Sequence, residues 1–513
     1  MRERLVRLGL SLLAAVMLFA SVPTFGLWPL MWMALGPQMQ VALGAATPKQ
    51  AFLWGWLTGF VANAVAFYWM DGLLERFGHM PPVEALPIMA LLVGYQGLAF
   101  AFFSWGVRRM RDRTGLPLVL LAPLVMVTVE LVMPQIFPYY LGISQAFVPS
   151  VIQIADITGP LGVTALMLAC NGALLDAWLL RKQPRRVALR GPAIAAALIL
   201  LDLGYGALRL RQVDARRAAA AKVKTGVVQA NVGIIEKWDP REFARLLSLH
   251  QRESAALARA GAELMVWPES SYPYALPRPP HAVAQDLPAD DPRRVRRGFD
   301  TPLLFGAVSR AVGKPLAGKD RYPYNTAFMM DGAGNFTGSY DKVFLMLFGE
   351  YIPFYDQVPW FTKLVPEASN FSRGSDPAVF PLDAGGRSFK LGPNAFINIT
   401  NDAWFGRTAE PAQHLALAVF RSVEHRLEMI RAVNTGISAH IDAGGRVLAQ
   451  TRSVDPDELP PPEPLTLLVD LAMLPGGGLY RTIGDLFGFL CLAAVIALLA
   501  RTRARRGAQS RNE

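Results

Sequence analysis

Apolar residues fill the first 210 positions in runs of roughly 20, the length an α-helix needs to cross about 30 Å of hydrocarbon. These runs fall near 8–23, 26–45, 51–70, 86–106, 116–133, 151–179 and 191–208, with an eighth near 482–500. The first is followed by further spans and lacks a convincing cleavage site, so it reads as a retained helix rather than a signal peptide, and the first two suit a tight helical hairpin. Between the seventh and eighth runs the pattern changes. "KTGVVQANVG" is a buried-type strand, "REFARLLSLHQRESAALARAG" has helical apolar spacing, and "AELMVWPES" is a strand ending in a polar turn. The alternation continues through "PLLFGAVSR", "NTAFMMDGAGNFTGSYDK", "AFINITND", a helix from about 411 to 431, and "GISAHIDAGGRVLAQT". Turns of the DG and GG type signal hairpins, so mixed sheets are expected. "PRPPHAVAQDLPADDP" and "DPDELPPPEP" read as surface loops or linkers. The expected plan is a seven-span membrane part over 1–210, an α/β domain over 220–475, a closing span over 482–500 and a basic tail over 501–513.

Composition supports a membrane part joined to a folded part: of 513 residues, 52% are hydrophobic and only 18% charged. The net charge of +11 does not point to nucleic acid, because the basic residues crowd into short segments flanking the apolar runs. Arg2, Arg4 and Arg7 precede the first run, "RRMRDR" follows the fourth, "RKQPRRVALR" the sixth and "RTRARR" the eighth. By the positive-inside rule these lie in the cytoplasm, and seven spans then deliver the α/β domain to the other side. The basic "RLRQVDARR" after the seventh run runs against this, but long domains are translocated largely regardless of such charges. Cys170 and Cys491 both sit inside apolar runs, which excludes a disulfide framework and a thiolate zinc site. The six histidines are dispersed without HxH or HExxH pairs, so no metal or other cofactor is expected.

Strand ends in α/β domains hold reactive side chains rigidly within reach of a ligand. Glu269 ends the strand "VWPES", and desolvation beside Val266, Trp267 and Pro268 is expected to raise its pKa towards that of a general base. A surface carboxylate or a partner to Ser270 is the plainer reading. Lys342, in "GSYDKVFLMLFGEYIPF", follows a hairpin strand among apolar residues and is suited to stabilising an oxyanion; pairing with Asp341 is its structural alternative. Glu350 is suited to orienting that lysine or to a buried structural role.

The motifs "WPES", "YDKVFLMLFGEYIPF" and "INITNDAWFG", followed by "QHLALAVFRSVEHRLEMIRAVNTGISAHIDAGGRV", stand in the order seen in the apolipoprotein N-acyltransferases of the nitrilase superfamily. "YYLGISQ" and "IADITGPLGVTALMLACNGALL" resemble that family's fifth and sixth spans, so the resemblance covers nearly the whole chain. It implies an α-β-β-α nitrilase-like domain facing the periplasm from a multi-pass inner-membrane protein. It also implies transfer of a fatty acyl chain from a phospholipid to an enzyme thiol, then to the N-terminal amine of a diacylglyceryl lipoprotein. Within it Glu269 matches the general base, Lys342 the residue that stabilises the tetrahedral intermediate, and Glu350 a supporting carboxylate. Trp238, in "EKWDP", matches a position at the substrate entrance, with simple packing as the alternative. Oligomeric state is not legible.

The catalytic cysteine of that pattern is missing. It belongs after a strand beginning near "GGRSFKLG", with a helix before "NAFINITND", yet Gly392 is followed directly by Pro393 and Asn394. A strand, a helix and their connections come to roughly two dozen residues, so this is a deletion. In the lysine loop, Phe344 stands where the family has a histidine and Leu347 where it has a proline. Three readings of the gap stand: an interruption in the sequence itself, an inactive member that binds lipoprotein or phospholipid, or chemistry without the thiol. Loss of a strand is expected to leave neighbours unpaired, unless "RSFKLG" and "AFINIT" merge into one composite strand.

Overall fold

The computed structural model describes the chain except residues 78–79, 138, 279–284, 312–321, 348, 353–369, 456–457, 459–461 and 510–513. Parts of both proline-rich loops, of the "YDKVFLMLFGEYIPF" motif and of the basic tail therefore lie outside the described residues.

Among the described residues, three helices are long and apolar enough to cross a membrane: Pro82–Thr114, Pro160–Leu179 and Arg185–Ala219. Leu118–Val132 and Leu486–Arg501 are shorter apolar helices, and Arg2–Ala20 and Pro48–Ala66 have 19 residues each. Two expected spans are corrected. The run 26–45 is a 3₁₀ turn, Trp28–Trp32, and a ten-residue helix, Leu35–Gly44; that helix rises about 15 Å, half the hydrocarbon thickness. The run 151–179 is broken at Gly159, whose φ of +63° suits a glycine, and the long helix begins at Pro160. Apolarity alone did not reveal either break.

The α/β domain, called the outer domain for its place outside the helical bundle, has thirteen strands among the described residues. In chain order they are β1 (Lys222–Gln229), β2 (Leu264–Val266), β3 (Tyr272–Arg278), β4 (Leu303–Ala311), β5 (Tyr324–Met330) and β6 (Phe336–Asp341), then β7 (Phe380–Ala384), β8 (Arg387–Leu391), β9 (Phe396–Thr400), β10 (Met429–Val433), β11 (Ala439–Ile441), β12 (Val447–Gln450) and β13 (Leu465–Ala472). One sheet runs β13-β1-β2-β4-β5-β6 with β3 also paired to β4; a second runs β12-β11-β10-β9; β7 and β8 form a separate hairpin. Parallel and antiparallel pairs mix in both large sheets, as the hairpin signals implied.

The two sheets bury Val227, Val266, Leu304, Ile430, Ala432 and Leu471 in one shared core. Helix Phe243–Arg259 covers the outer face of the first sheet through Leu247 and Leu257. Helix Glu410–His425 covers the second, giving four layers, α-β-β-α. That last helix also packs on the helical part. Leu415, Val419, Phe420 and Val423 pack in the same core as Leu121, Met126, Ile152 and Met167 of the helical part. Arg426, at the helix end, is fully buried against Asp156 of the helical part at 2.8 Å, so charge and apolar packing both fix the domain to the bundle.

β10 is buried at every position, whereas four of the five residues of its neighbour β9 are only half-buried. Among the described residues β9 pairs with β10 alone and is the edge of its sheet. "RSFKLG" and "AFINIT" do not merge: Gly392, at φ +104°, and Pro393 turn the chain, and Asn394 accepts from the Lys390 amide at 2.9 Å. Pro393 has no amide to offer a ladder, which opposes a continuous strand.

Candidate active site

β2 runs into Trp267, which is fully buried and donates its indole N–H to Ser254 of helix Phe243–Arg259 at 2.8 Å. This anchor sets the strand end on which Glu269 stands. The next residue, Ser270, has φ +48°, a left-handed conformation that a serine adopts only under constraint. Gly306 of β4 lies directly beneath: a Cβ there would approach the Ser270 nitrogen to 2.4 Å and the Glu269 Cα to 2.7 Å. Glycine is thus required at 306 for the glutamate to be seated.

Lys342 follows β6 and is held by its backbone, donating its amide to the Asn325 carbonyl at 2.9 Å and accepting from Gly374 at 3.0 Å. Asp341 does not pair with it. That carboxylate takes Arg278 and Thr326, each at 2.6 Å, which frees the lysine to point into the cavity. There the ammonium lies 3.0 Å from Glu269 Oε1 and 2.9 Å from Glu350 Oε2. Asn325 donates one amide to both carboxylates, at 2.5 Å to Glu269 and 2.7 Å to Glu350, and the Met346 amide donates to Glu350 at 2.8 Å. The structure therefore brings Glu269, Lys342 and Glu350 into one cluster, with Asn325 at its centre.

The electrostatics correct one expectation. Burial does oppose ionisation of Glu269, but Lys342, Lys237 and the Asn325 amide outweigh it and hold the carboxyl below the usual range. Its desolvating neighbours were legible in the sequence; its cations were not. Lys342 stays protonated: burial disfavours its charge, and the two carboxylates more than reverse that. Lys237 is buried without a carboxylate bond, donates to the Glu269 carbonyl at 2.8 Å, and is lowered by desolvation to about 8.

The cluster lies in a cavity of about 1200 Å³ walled by both parts of the molecule. Tyr95, Pro134 and Phe137 come from the helical part; Ile235, Trp238 and Phe344 from the outer domain. The last three are exposed by 79%, 46% and 88%, an apolar lip suited to lipid. Trp238 sits just after the short helix Ile234–Lys237. Neither cysteine lines this cavity: Cys170 and Cys491 lie in helices Pro160–Leu179 and Leu486–Gln509.

The remaining wall, Asn398 to Asp402 with helix Glu410–His425, carries a second polar group that sequence reading missed. Asp402, Glu410 and His414 bring their ligand atoms within 4.8 Å of one another. The helix supplies two of them by i,i+4 spacing, a signal visible as E-x-x-x-H, while Asp402 arrives from the turn after β9. Charge decides what occupies this group. Asp402 Oδ2 is already paired at 3.1 Å with Arg431, and both side chains are buried. Burial and then the Asp402 charge push Glu410 well above its ordinary pKa, which favours its neutral form. The Arg431 guanidinium offsets the charge of Asp402. Gly436, in "NTGIS", leaves the room: a Cβ there would meet Asp402 Oδ2 at 2.5 Å. Asn434 donates to Asn401 at 3.0 Å and to the Val232 carbonyl at 2.8 Å, which ties "NTG" to "ND" within the second sheet and to the segment after β1 in the first.

Comparison with known proteins agrees over both parts. Residues 14–173 match the model of the apolipoprotein N-acyltransferase N-terminal domain, and residues 224–459 match that of the carbon-nitrogen hydrolases. The apolipoprotein N-acyltransferase of Geobacter metallireducens is 32% identical, over 96% of this chain and 95% of that protein. That of Bdellovibrio bacteriovorus is 28% identical, over 86% and 85%. Among solved structures, an amidase from Nesterenkonia sp. AN1 aligns with 48% of this chain and 93% of its own, at 21% identity and a TM-score of 0.32.

Proposed function

This chain belongs to the apolipoprotein N-acyltransferase family, and from that premise we propose how its cavity serves the reaction. The enzyme is an acyltransferase of lipoprotein maturation, with a nitrilase-like α/β domain. The donor is a membrane phospholipid and the acceptor the N-terminal amine of a diacylglyceryl-cysteine. The helical part and the closing helix Leu486–Gln509 carry the protein in the inner membrane in several passes, with the cavity on the periplasmic side. The observation that carries this reading is the Lys342 ammonium held between Glu269 and Glu350 in a cavity whose other wall is made by the membrane helices.

In this reading the lipid enters past the apolar lip at Trp238, which places the ester carbonyl near Lys342. As the carbonyl becomes tetrahedral, its oxygen gains negative charge, and the ammonium and the Asn325 amide stabilise it. Removing one such preorganised donor costs about 10²- to 10³-fold in rate. Glu350 keeps Lys342 charged and aimed. Glu269 does the same until the oxyanion draws Lys342 away; losing its counter-ion then raises its basicity, which suits the general-base role.

The test uses the purified protein in phospholipid vesicles with a synthetic diacylglyceryl lipopeptide. Mass spectrometry should show the lipopeptide heavier by one acyl chain, with an equal amount of lysophospholipid. Folded protein that binds the lipopeptide and produces neither product would refute the transferase reading in favour of a binding role.

A further inference from the structure

We propose that Lys237 is a positioning residue for the acyl transfer: it fixes the backbone of Glu269 to the segment that forms the apolar lip, and its charge stands behind the Glu269 carboxylate. The proposal rests on the acyl-transfer reading above and adds a residue to it.

The geometry starts at the end of β2. Trp267 donates its amide to the Leu304 carbonyl at 2.9 Å, and the Gly306 amide donates to the Pro268 carbonyl at 3.2 Å, so the pairing of β2 with β4 runs on through Pro268. There it stops. The next carbonyl, that of Glu269, lies where the chain turns through Ser270 at φ +48°, and the Lys237 ammonium donates to it at 2.8 Å. A carbonyl beyond its ladder and away from water needs such a donor. Lys237 reaches it from the short helix Ile234–Lys237, and its own amide is held by the Gly233 carbonyl at 2.9 Å. Ile235 and Trp238 are exposed on the lip, whereas Lys237 is buried. One turn of helix therefore carries the lip on one side and the brace of Glu269 on the other.

Plain packing does not call for a lysine here. A methionine fills similar space, and a buried ammonium is costly unless it is paired. Burial lowers the pKa of Lys237 to about 8, so it is still protonated at neutral pH. Glu236 and Asp239, beside it in sequence, are each paired with an arginine, Arg245 and Arg241. His250, on the helix that covers this sheet, is neutral, because burial lowers its pKa to about 4. Lys342 and Glu350 stand at the Glu269 carboxylate itself. Burial opposes ionisation of Glu269, and Lys342 and then Lys237 favour it. When the oxyanion draws Lys342 away, Lys237 is the cation that stays, because its bond goes to the backbone and not to the reacting atoms. Without it the buried carboxyl takes up a proton at a higher pH and is no longer a base.

The experiment compares full-length wild type with Lys237→Met, Lys237→Gln and Lys237→Arg in phosphatidylethanolamine vesicles, with the diacylglyceryl lipopeptide as acceptor. Methionine removes charge and donor, glutamine keeps a donor alone, and arginine keeps both. Methionine should lower kcat by about 10²-fold, the effect of misplacing a reacting group by about 1 Å, with KM for the lipopeptide little changed. The acid limb of kcat should move to higher pH by about one unit in the two uncharged variants. Arginine should leave the limb in place and recover most of the rate. Melting temperature reports folding, and glutamine and arginine decide the matter where methionine does not fold. An infrared titration of the Glu269 carboxyl, identified by its loss in Glu269→Gln, reads the same shift without turnover. A merely structural lysine would lower the melting temperature and leave both the limb and the infrared titration unmoved. That result, or wild-type rate and limb in folded Lys237→Met, would overturn the proposal while leaving the transferase reading intact. If wild type transfers nothing, the transferase reading itself fails, and the infrared titration still decides whether Lys237 sets the ionisation of Glu269.

Discussion

The two walls of the cavity differ in how completely they are built. On the wall formed by β2, β4, β5 and β6, Glu269, Lys342, Glu350 and Asn325 all have partners at hydrogen-bond distance, and three of them stand at or near strand ends that neighbouring strands pin. On the wall formed by β9 and helix Glu410–His425, β9 is an uncovered edge beside a wholly buried β10. Polar order there centres on the ion pair of Asp402 with Arg431, with His414 beside it, Arg431 also donating to Asn398 and Asn434 donating to Asn401. The contrast shows that the acidic-ammonium cluster takes its supports from the first sheet, and not from the sheet that ends at β9.

Breaking the complete wall should have the largest effect. Lys342→Met removes the donor to the developing oxyanion and leaves two carboxylates facing each other; acyl transfer, read as lipopeptide mass gain, should fall by about 10²- to 10³-fold. A fall of less than threefold would place the oxyanion elsewhere. A moderate effect is expected on the open wall from Glu410→Gln, read as melting temperature against pH. A glutamate whose folded pKa is raised binds more protons folded than unfolded above about pH 4.3, so stability is lost as pH rises from there through the folded pKa. The glutamine variant removes that penalty and should melt higher than wild type at pH 8, by a few degrees, with little difference at pH 4. Equal curves at both pH values would mean Glu410 is ionised and otherwise satisfied. The smallest effect sharpens the comparison most. N-ethylmaleimide should leave the rate of acyl transfer unchanged, and protein incubated with phospholipid alone should gain no acyl mass, because Cys170 and Cys491 lie in helices Pro160–Leu179 and Leu486–Gln509 and not in the cavity wall.

Glu269, Lys342 and Glu350 were legible because each lies beside a strand-like run, and because their order along the chain matches a family. Asn325 carried no such signal. It sits at the start of β5, near Lys342 in space through hairpin pairing, and only three-dimensional closure turns an ordinary "YNT" into the hub between two acids. The ionisation of Glu269 was misjudged for the same reason: Val266 and Trp267 are sequence neighbours, whereas Lys237 and Lys342 are separated from it by 32 and 73 positions. The α/β alternation and its hairpins were readable from periodicity. The breaks at Gly159 and in 26–45 were not, because apolar content measures transfer into lipid and says nothing about where a helix stops.

Helix Glu410–His425 belongs to the sandwich and to the bundle at once, and this has a practical corollary for anyone seeking the catalytic half alone. Excision at the junction near residue 220 would strip a greasy flank of Leu415, Val419, Phe420 and Val423, together with the stranded guanidinium of Arg426. Such a fragment should precipitate or demand detergent, so the reaction is inseparable from the lipid-embedded half even where no lipid touches the chemistry.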